Sequence, residues 1–404
     1  MKRFTIFLLA IILSVSSLFL GACEPKKIKY LNFYEHVFGI GAKKIPLQAT
    51  LYGTKDDDLL NAKDEILETL KKLNKELNTI DKESAIYKFN NDEDFAPEKK
   101  YYVSKSVYDM LKAVKELHTK TSGNIEGLRE NAFKLFNPAI YPLMELWELD
   151  AENIFTPNSD RKIPTNEEIA KTLPNTDFSL VKIGQDQQGY FIQKSKKEVK
   201  IDFGGQAKGY AADLAVKICQ KYNLKGATID IGGNVYVYKS KPLADGSTQK
   251  FSVVIKMPDQ KADNYFCAVR AENISFVTSG DYERNFIKNG VKYAHLLNPL
   301  TGLPVNIERD QNEIDSNIYG GLTSVTIINQ SSEFADICAT IVMLLGMENG
   351  IKFMKQNNLT GILISHDKFY AAIGDIDQFD HSLANGYKDY KPYVIEGIEY
   401  SFKK

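Results

Sequence analysis

The sequence predicts an α+β fold of mixed, largely antiparallel sheets packed with helices, and three observations carry that prediction. Strand-like and helix-like stretches are mixed along the chain without the regular strand–helix alternation of a doubly wound sheet. Short strand candidates follow one another closely, as residues 251–256 and 274–278 do, which suggests antiparallel neighbours. A strongly apolar helix, ADICATIVMLLG (335–346), stands between the strand candidate TSVTII and the strand pair GILISHDKFYAA.

The elements follow in chain order. Lys2 and Arg3 precede an almost wholly apolar run from Phe4 to Leu20, and Leu20-Gly21-Ala22-Cys23 is followed by the polar Glu24-Pro25-Lys26-Lys27. This is the pattern of a signal segment over 1–22, which is left out of the fold. The run is close to the lower limit for a membrane span. Small residues directly before Cys23 favour cleavage there, and the ending resembles a bacterial lipobox with diacylglycerol on Cys23. No aspartate follows the cysteine, so no inner-membrane retention signal shows. Residues 26–58 lead in through short strand candidates. From there apolar residues recur at Leu59, Ala62, Ile66, Leu70, Leu73, Leu77 and Ile80, one face of a helix. A second helix is expected from about Lys105 to Leu117, with Ser104 as N-cap. Residues 119–175 are rich in proline and irregular, with one helical piece, YPLMELWEL. EVKID (198–202) alternates like a strand and leads into IDFGGQAKGYAAD (201–213), a helix runs from about Gly209 to Tyr222, and ATIDIGGN (227–234) is a strand and a turn. Residues 375–404 form a polar, tyrosine-bearing extension, and no internal repeat is present.

Composition narrows the function. The chain has 51 basic and 52 acidic side chains and a net charge of −1, which becomes −3 once the segment carrying Lys2 and Arg3 is removed. Neither value suits electrostatic binding to nucleic acid or to a strongly anionic surface. After Cys23 only Cys219, Cys267 and Cys338 remain, without a CxxC pair. Cys219 and Cys338 fall in apolar helical patterns and read as buried thiols.

Several short motifs carry chemistry. In IDFGGQAKGYAAD, Gly204 and Gly205 let the backbone turn tightly and approach a ligand, N–H groups at the helix start can face an anion, and Lys208 adds a point charge. Taken alone the motif is equally a strand-to-helix turn with a solvated lysine, and it is neither a P-loop nor a GxGxxG fingerprint. Asp230-Ile231-Gly232-Gly233-Asn234 joins a strand to two glycines, and Asn234 can hydrogen-bond a ring or a phosphate. Thr278-Ser279-Gly280-Asp281-Tyr282-Glu283-Arg284 places hydroxyls and charge at a strand end, where Arg284 either grips a phosphate or pairs with a carboxylate. His295 enters a loop stiffened by Asn298-Pro299 and Thr301-Gly302-Leu303-Pro304, which makes it an acid/base or orienting candidate. Histidines 36, 118, 366 and 381 read as ordinary surface or helix residues. Asp336 and Thr340, four apart on a helix, share a face. They suit a hard cation such as Mg²⁺ completed by other oxygens, or equally a local cap and a packed threonine.

In this order the motifs IDFGGQAKGYAAD, DIGGN, TSGDYER, HLLNPLTGLP and ADICAT resemble the ApbE family of FAD:protein FMN transferases, over about residues 30–374. The resemblance implies a T-fold-like α+β architecture and a bi-lobed flavin site within 23–374. Glu83-Ser84-Ala85-Ile86-Tyr87-Lys88-Phe89-Asn90 resembles the family's SxIxxLN stretch. Phe136-Asn137-Pro138 resembles Phe-Asp-Pro, with Asn137 where an aspartate is common, so a contact to the adenosine part of FAD loses its charge. Tyr52-Gly53-Thr54 is similar to Met-Gly-Thr, which puts Tyr52 on a wall of the flavin pocket. The family's metal ligands map onto Asp336, Thr340 and the backbone oxygen of Ala207, and Lys208 and Asp213 also match family positions.

The function implied is Mg²⁺-dependent transfer of FMN from FAD to a Thr or Ser hydroxyl of a target protein, with release of AMP. His295 is the first candidate base and Asp281 the second. Gly204, Gly205, Asn234, Ser279, Arg284 and Thr301 are candidate contacts to FAD, with Ser84, Asn137, Lys208 and Asp213. The implied partners are exported or membrane-bound subunits of respiratory redox pumps of the Na⁺-translocating quinone reductase (Nqr) or Rnf type, or other flavinylated exported proteins. A lipid anchor at Cys23 would hold enzyme and target at one surface, on the periplasmic side where a cell has two membranes. FAD hydrolysis to FMN and AMP and a non-catalytic lipid-anchored flavin carrier are the alternatives.

Overall fold

The computed structural model describes residues 27–40, 43–120, 131–150, 160–258, 264–282, 285–310, 313–316, 321–375, 379–380 and 386–402. The signal segment, Cys23, Arg284 and His381 lie outside the described residues. Strands β1 (Lys29–Ile40) and β2 (Lys43–Gly53) lead into helix α1 (Asp56–Leu77) and the short α2 (Ala85–Asn90). Then come β3 (Tyr101–Val103), α3 (Lys105–Thr119), α4 (Tyr141–Leu146), α5 (Asn166–Thr172), β4 (Val181–Asp186) and β5 (Gly189–Lys194). Helix α6 (Ala207–Lys221) is followed by β6 (Gly226–Ile231), β7 (Asn234–Tyr238), β8 (Lys241–Pro242), β9 (Thr248–Gln249), β10 (Phe251–Lys256), β11 (Tyr265–Ala271) and β12 (Ile274–Gly280). A small sheet is formed by β13 (Asn285–Lys288), β14 (Val291–Ala294), β15 (Asn306–Asp310) and β16 (Glu313–Ser316). The chain closes with β17 (Leu322–Asn329), α7 (Ser332–Gln356), β18 (Thr360–Ser365), β19 (Phe369–Ile373), β20 (Phe379–Asp380), β21 (Lys391–Pro392), β22 (Val394–Ile395) and β23 (Ile398–Glu399).

The centre is a nine-stranded sheet in the order β1-β2-β6-β7-β12-β17-β18-β19-β21. Every pair in it is antiparallel except β19–β21. The fold is therefore the α+β type that the sequence predicts. Residues 251–256 and 274–278 are not neighbours, however, because β10 pairs with β11 in a separate sheet while β12 joins the central one. The central strands alternate their faces. Leu47, Leu51, Ile229, Val277 and Ile327 turn toward the helices and are buried with Ile66 and Leu70 of α1 and Ala211 and Cys219 of α6. Val237, Phe276, Ile328 and Ile362 turn the other way, onto Phe251 and Val253 of β10 and Phe266 of β11. Phe402, in the C-terminal extension, is buried in this second layer against Tyr370 and Phe266.

Local rules explain most of the helices. In α1 the expected apolar face is buried from Leu59 to Leu77, each large side chain contributing roughly 1.5–3 kcal/mol. The helix stops before Ile80, where Asn78 Oδ1 accepts from Ile80 N and Asp81 N, both at 2.8 Å, and turns the chain. Ser104 caps α3 by accepting from Val107 N at 3.3 Å. Helix α5, in the stretch read as irregular, starts on a full capping box between Thr165 and Glu168. Helix α7 has the length and apolarity of a membrane span, yet it is a core helix, with 83% of its most apolar window buried inside the protein. The three described cysteines are free and buried, and burial pushes the thiols of Cys219 and Cys267 up to about 12.

Residues 198–202 alternate like a strand but do not form one. A side chain takes the place of a ladder there. Asn90, the last residue of α2, accepts from Ile201 N at 2.8 Å and donates to Ile201 O at 2.9 Å. Asp202 N donates to Pro138 O at 2.9 Å. The approach to the glycine turn is thus held by Asn90 and by the Phe136–Pro138 segment.

Candidate active site

Two helix N-termini meet at the glycine turn. Asp202 Oδ1 accepts from Gly204 N at 2.7 Å, which folds the turn tightly, and Ala207 opens α6 by donating its N–H to Phe203 O at 2.8 Å. Two residues on, Gly209 N donates to Asp336 Oδ2 at 2.9 Å, joining α6 to the first turns of α7. This approach requires glycine: a Cβ at residue 209 would stand 2.3 Å from Ser332 O. Asp213 closes the junction. Its carboxylate accepts from Ser332 N at 2.9 Å, Glu333 N at 3.1 Å and the Ser331 hydroxyl at 3.0 Å, taking up N–H groups that the start of α7 leaves without partners. Gln206 donates to Glu333 Oε1 at 2.6 Å and to Met110 O at 3.0 Å. Burial pushes the Glu333 carboxyl up to about 7, against the pull of that bond.

A cavity of about 180 Å³ opens above this junction. Gly204, Gly205, Lys208, Asp336 and Thr340 line its polar part, and a Cβ on Gly205 would stand 3.6 Å from Thr340 Oγ1. The end of β12 contributes Thr278, Ser279 and Gly280, and His295 borders the cavity beside Leu296. The apolar part is formed by Phe136, Ile140, Met144 and Leu297. The loop that carries His295 is anchored from behind. Asn298 Oδ1 accepts from Leu300 N at 2.9 Å, Gly302 N donates to Asn298 O at 2.8 Å, and Trp147 Nε1 donates to Gly302 O at 2.8 Å. Gly302 has φ 71°, and a Cβ there would meet Ile169 at 2.5 Å.

Asp336 and Thr340 are oxygen donors that could hold a cation. Asp336 is buried, and burial holds its carboxyl above the usual range, opposed by the charge of Lys208, the Gly209 N–H and Asn234. Among the described residues no basic group lies within ion-pairing distance of it. Lys208 Nζ instead donates to the buried Asn234 Oδ1 at 3.3 Å. A buried carboxylate beside a hydroxyl, both lining a cavity, is the oxygen donor set of a hard cation. Among the described residues no group of three or more His, Cys, Asp or Glu side chains is placed to hold a metal ion, so most of the coordination would come from backbone, water and ligand oxygens. Asp336 and Thr340 fit Mg²⁺ on those terms.

Of the remaining expected residues only Asn137 borders the cavity among those described. Tyr52 does not border the cavity. In the β2–β6 ladder Leu47 pairs with Ile231 at the Gly232 turn, whereas Tyr52 pairs with Gly226 at the far end, and its ring packs against Tyr30 and Phe251. Ser84 caps α2, accepting from Ile86 N at 3.1 Å and donating to Glu76 O at 2.8 Å. Thr301 accepts from Leu303 N at 3.3 Å within its own loop. Asn137 lines the cavity, but its amide is held by Thr176 O at 2.6 Å and Ala139 N at 2.9 Å. Asp281 is buried and turned away: its Oδ2 meets His366 Nε2 and Asn306 Nδ2, each at 2.7 Å. His366 is therefore no ordinary surface histidine. His118 is a helix residue, as expected, and its Nε2 lies 2.9 Å from the backbone oxygen of Phe136, which lines the cavity. Asn90 and Gln206, which lie within the quoted motifs, and Asn306 and Glu333, which carry no sequence signal beyond being polar residues near them, support the site.

Comparison with known proteins gives the family and a likeness of fold. The model of the ApbE family matches residues 44–363. The FAD:protein FMN transferase of Treponema pallidum is 26% identical over 285 residues, covering 68% of this chain and 70% of that protein. The FAD:protein FMN transferase of Vibrio cholerae is 25% identical over 301 residues, covering 74% and 78%. The apo crystal structure of the flavinyl transferase ApbE of Pseudomonas stutzeri superposes with a TM-score of 0.65 at 21% identity, covering 84% of this chain and 92% of that one, a likeness of fold.

Proposed function

The chain belongs to the ApbE family, and from that premise we propose that it is a FAD:protein FMN transferase. One observation carries the proposal: a single cavity gathers the buried Asp336, Thr340, Lys208, the Gly204–Gly205 backbone and His295 around a space with an apolar extension. The polar part suits a pyrophosphate and the apolar part, walled by Phe136, Ile140, Met144 and Leu297, suits the adenine end of FAD. In the reaction a Thr or Ser hydroxyl of the acceptor protein attacks the phosphorus on the riboflavin side. The bond from that phosphorus to the bridging oxygen breaks, AMP leaves with the oxygen, and FMN stays on the acceptor through a phosphoester. His295 takes the hydroxyl proton. Lys208, on the first turn of α6, holds the phosphate oxygens. Asp336, Thr340 and the Ala207 carbonyl would hold a Mg²⁺ ion, which when bound would supply neutralisation of the pyrophosphate charge.

The acceptors are exported subunits of Nqr- or Rnf-type redox pumps, and the lipid on Cys23 keeps the enzyme at the surface where they reside. The test is to incubate the chain from Glu24 onward with FAD, Mg²⁺ and a flavin-free acceptor domain of an Rnf-type pump, and to read the acceptor's intact mass. A gain of about 438 Da, one FMN phosphoester, that is lost in Asp336→Ala supports transfer. FMN and AMP without a labelled acceptor would make the protein a hydrolase, and FAD binding without products would make it a carrier.

A further inference from the structure

The central sheet carries a second cavity, of about 540 Å³, on the face turned away from α1, α6 and α7. Its floor includes Gln48 of β2, Thr228 and Asp230 of β6, Val237 of β7 and Phe276 of β12. Its wall is β10, and all six residues from Phe251 to Lys256 line it. Successive residues of a strand point to opposite faces. Here Phe251, Val253 and Ile255 are buried and Ser252, Val254 and Lys256 are exposed. A cavity that touches both sets runs along the edge of the strand. No residue of β11 lines it, so the edge is the one away from β11. Among the described residues, β10 pairs with β11 alone.

This edge lacks the usual protection. It has no proline and no charged side chain before Lys256, and Val254 is 44% exposed. One end of the cavity reaches the candidate active site. Thr278 borders both cavities. Gly232 borders the second, and a Cβ on it would stand 3.6 Å from Cδ of Lys208, which borders the first. Lys256 marks this same end, because it and Lys208 both act on the Asp230 carboxyl. Phe251 marks the other end, its ring 6.1 Å from that of Tyr52. The six residues of β10 thus reach across roughly 20 Å from Tyr52 to the catalytic corner.

Resting on the transferase reading, we infer that the free edge of β10 pairs with an extended segment of the acceptor protein, which joins as an added strand and delivers its Thr or Ser hydroxyl to the corner between Thr278 and Lys208. Main-chain hydrogen bonds to β10 hold the segment, and its alternate side chains rest on Val235, Val237 and Phe276. FAD and acceptor then enter through different openings, and their reacting atoms meet where the two cavities share Thr278.

The test uses the full chain with FAD, Mg²⁺ and the flavin-free Rnf-type acceptor domain. Backbone amides of 251–256 are expected to gain protection from hydrogen exchange when the acceptor is added. Val254→Lys is expected to raise KM for the acceptor by roughly tenfold, about 1.4 kcal/mol of binding, with KM for FAD unmoved. Leu60→Lys, an exposed apolar position on α1, is expected to change neither. Labelling of the acceptor with 251–256 unprotected, or with Val254→Lys indistinguishable from Leu60→Lys, overturns the docking site and leaves the transferase standing. FAD hydrolysis without any labelling removes the transferase reading, and the docking site with it.

Discussion

Gly209→Ala tests the junction that positions Asp336. The added Cβ would stand 2.3 Å from Ser332 O, 2.7 Å from Ser332 C and 2.8 Å from Glu333 Cα. All three atoms are backbone at the start of α7, so no side-chain rotation relieves the clash. Ordinary contact requires α6 and α7 to part by about 1 Å, and overpacking of this kind costs about 1–3 kcal/mol. A domain with about 5–15 kcal/mol of stability stays folded. The chemistry is more sensitive. The 2.9 Å bond from Gly209 N to Asp336 is stretched, Lys208 and the glycine turn move with α6, and a 1 Å misplacement costs on the order of 10²-fold in rate. The assay is kcat for acceptor labelling at saturating FAD and Mg²⁺ beside a thermal melt. The control is Gly226→Ala, whose Cβ would meet Ser240 O at 2.7 Å at the far end of β6. Gly209→Ala should lose a few degrees in Tm and about 10²-fold in kcat, and Gly226→Ala should lose stability alone. Wild-type kcat in Gly209→Ala, or equal kcat losses in both, refutes the claim that this close approach sets the geometry of Asp336.

Three further outcomes follow from the same structure. Asp336→Asn keeps an acceptor for Gly209 N and removes a buried charge, so the melting temperature in the absence of Mg²⁺ should hold or rise while transfer falls by about 10²-fold or more; a lower Tm with transfer intact would contradict the assignment. The Glu333 carboxyl is raised from its ordinary value of 4.5 to about 7, so its contribution to stability is full below about pH 4.5 and is lost as pH rises to about 7. That loss amounts to at most about 3 kcal/mol, and Glu333→Gln, whose amide oxygen still accepts from Gln206, should flatten the denaturant-unfolding profile across this window; an unchanged slope would show that Glu333 titrates normally. Ser84→Ala should cost about 1 kcal/mol, the worth of a helix cap, with KM for FAD unchanged; a raised KM would return Ser84 to the flavin site.

The parts of the site legible in the sequence are those governed by neighbours along the chain. Gly204, Gly205 and Lys208 stand on one turn and Asp336 and Thr340 on one helix face, so their grouping follows from local geometry, and all five border the cavity. Residues 198–202 misled because alternation is a necessary feature of a strand and not a sufficient one. The alternating backbone here bonds to the side chain of Asn90 instead of to a ladder. Tyr52 misled for a related reason: a three-residue likeness does not set strand register, and the register with β6 carries Tyr52 away from the turn.

By itself the sequence determined the α+β class, the apolar helix faces, the caps at Ser104 and the glycine turns, because each depends on residues within a few positions of one another. Only the tertiary structure decided how the polar side chains are used. Asp213 holds the start of α7 across 119 residues, Asn90 clamps Ile201 across 111, and Asp281 turns to His366 across 85. A carboxylate is equally suited to bind a ligand, cap a helix or pair with a histidine. Which of these it does depends on the donor that folding brings within 3 Å, and separation along the chain carries no signal of that donor.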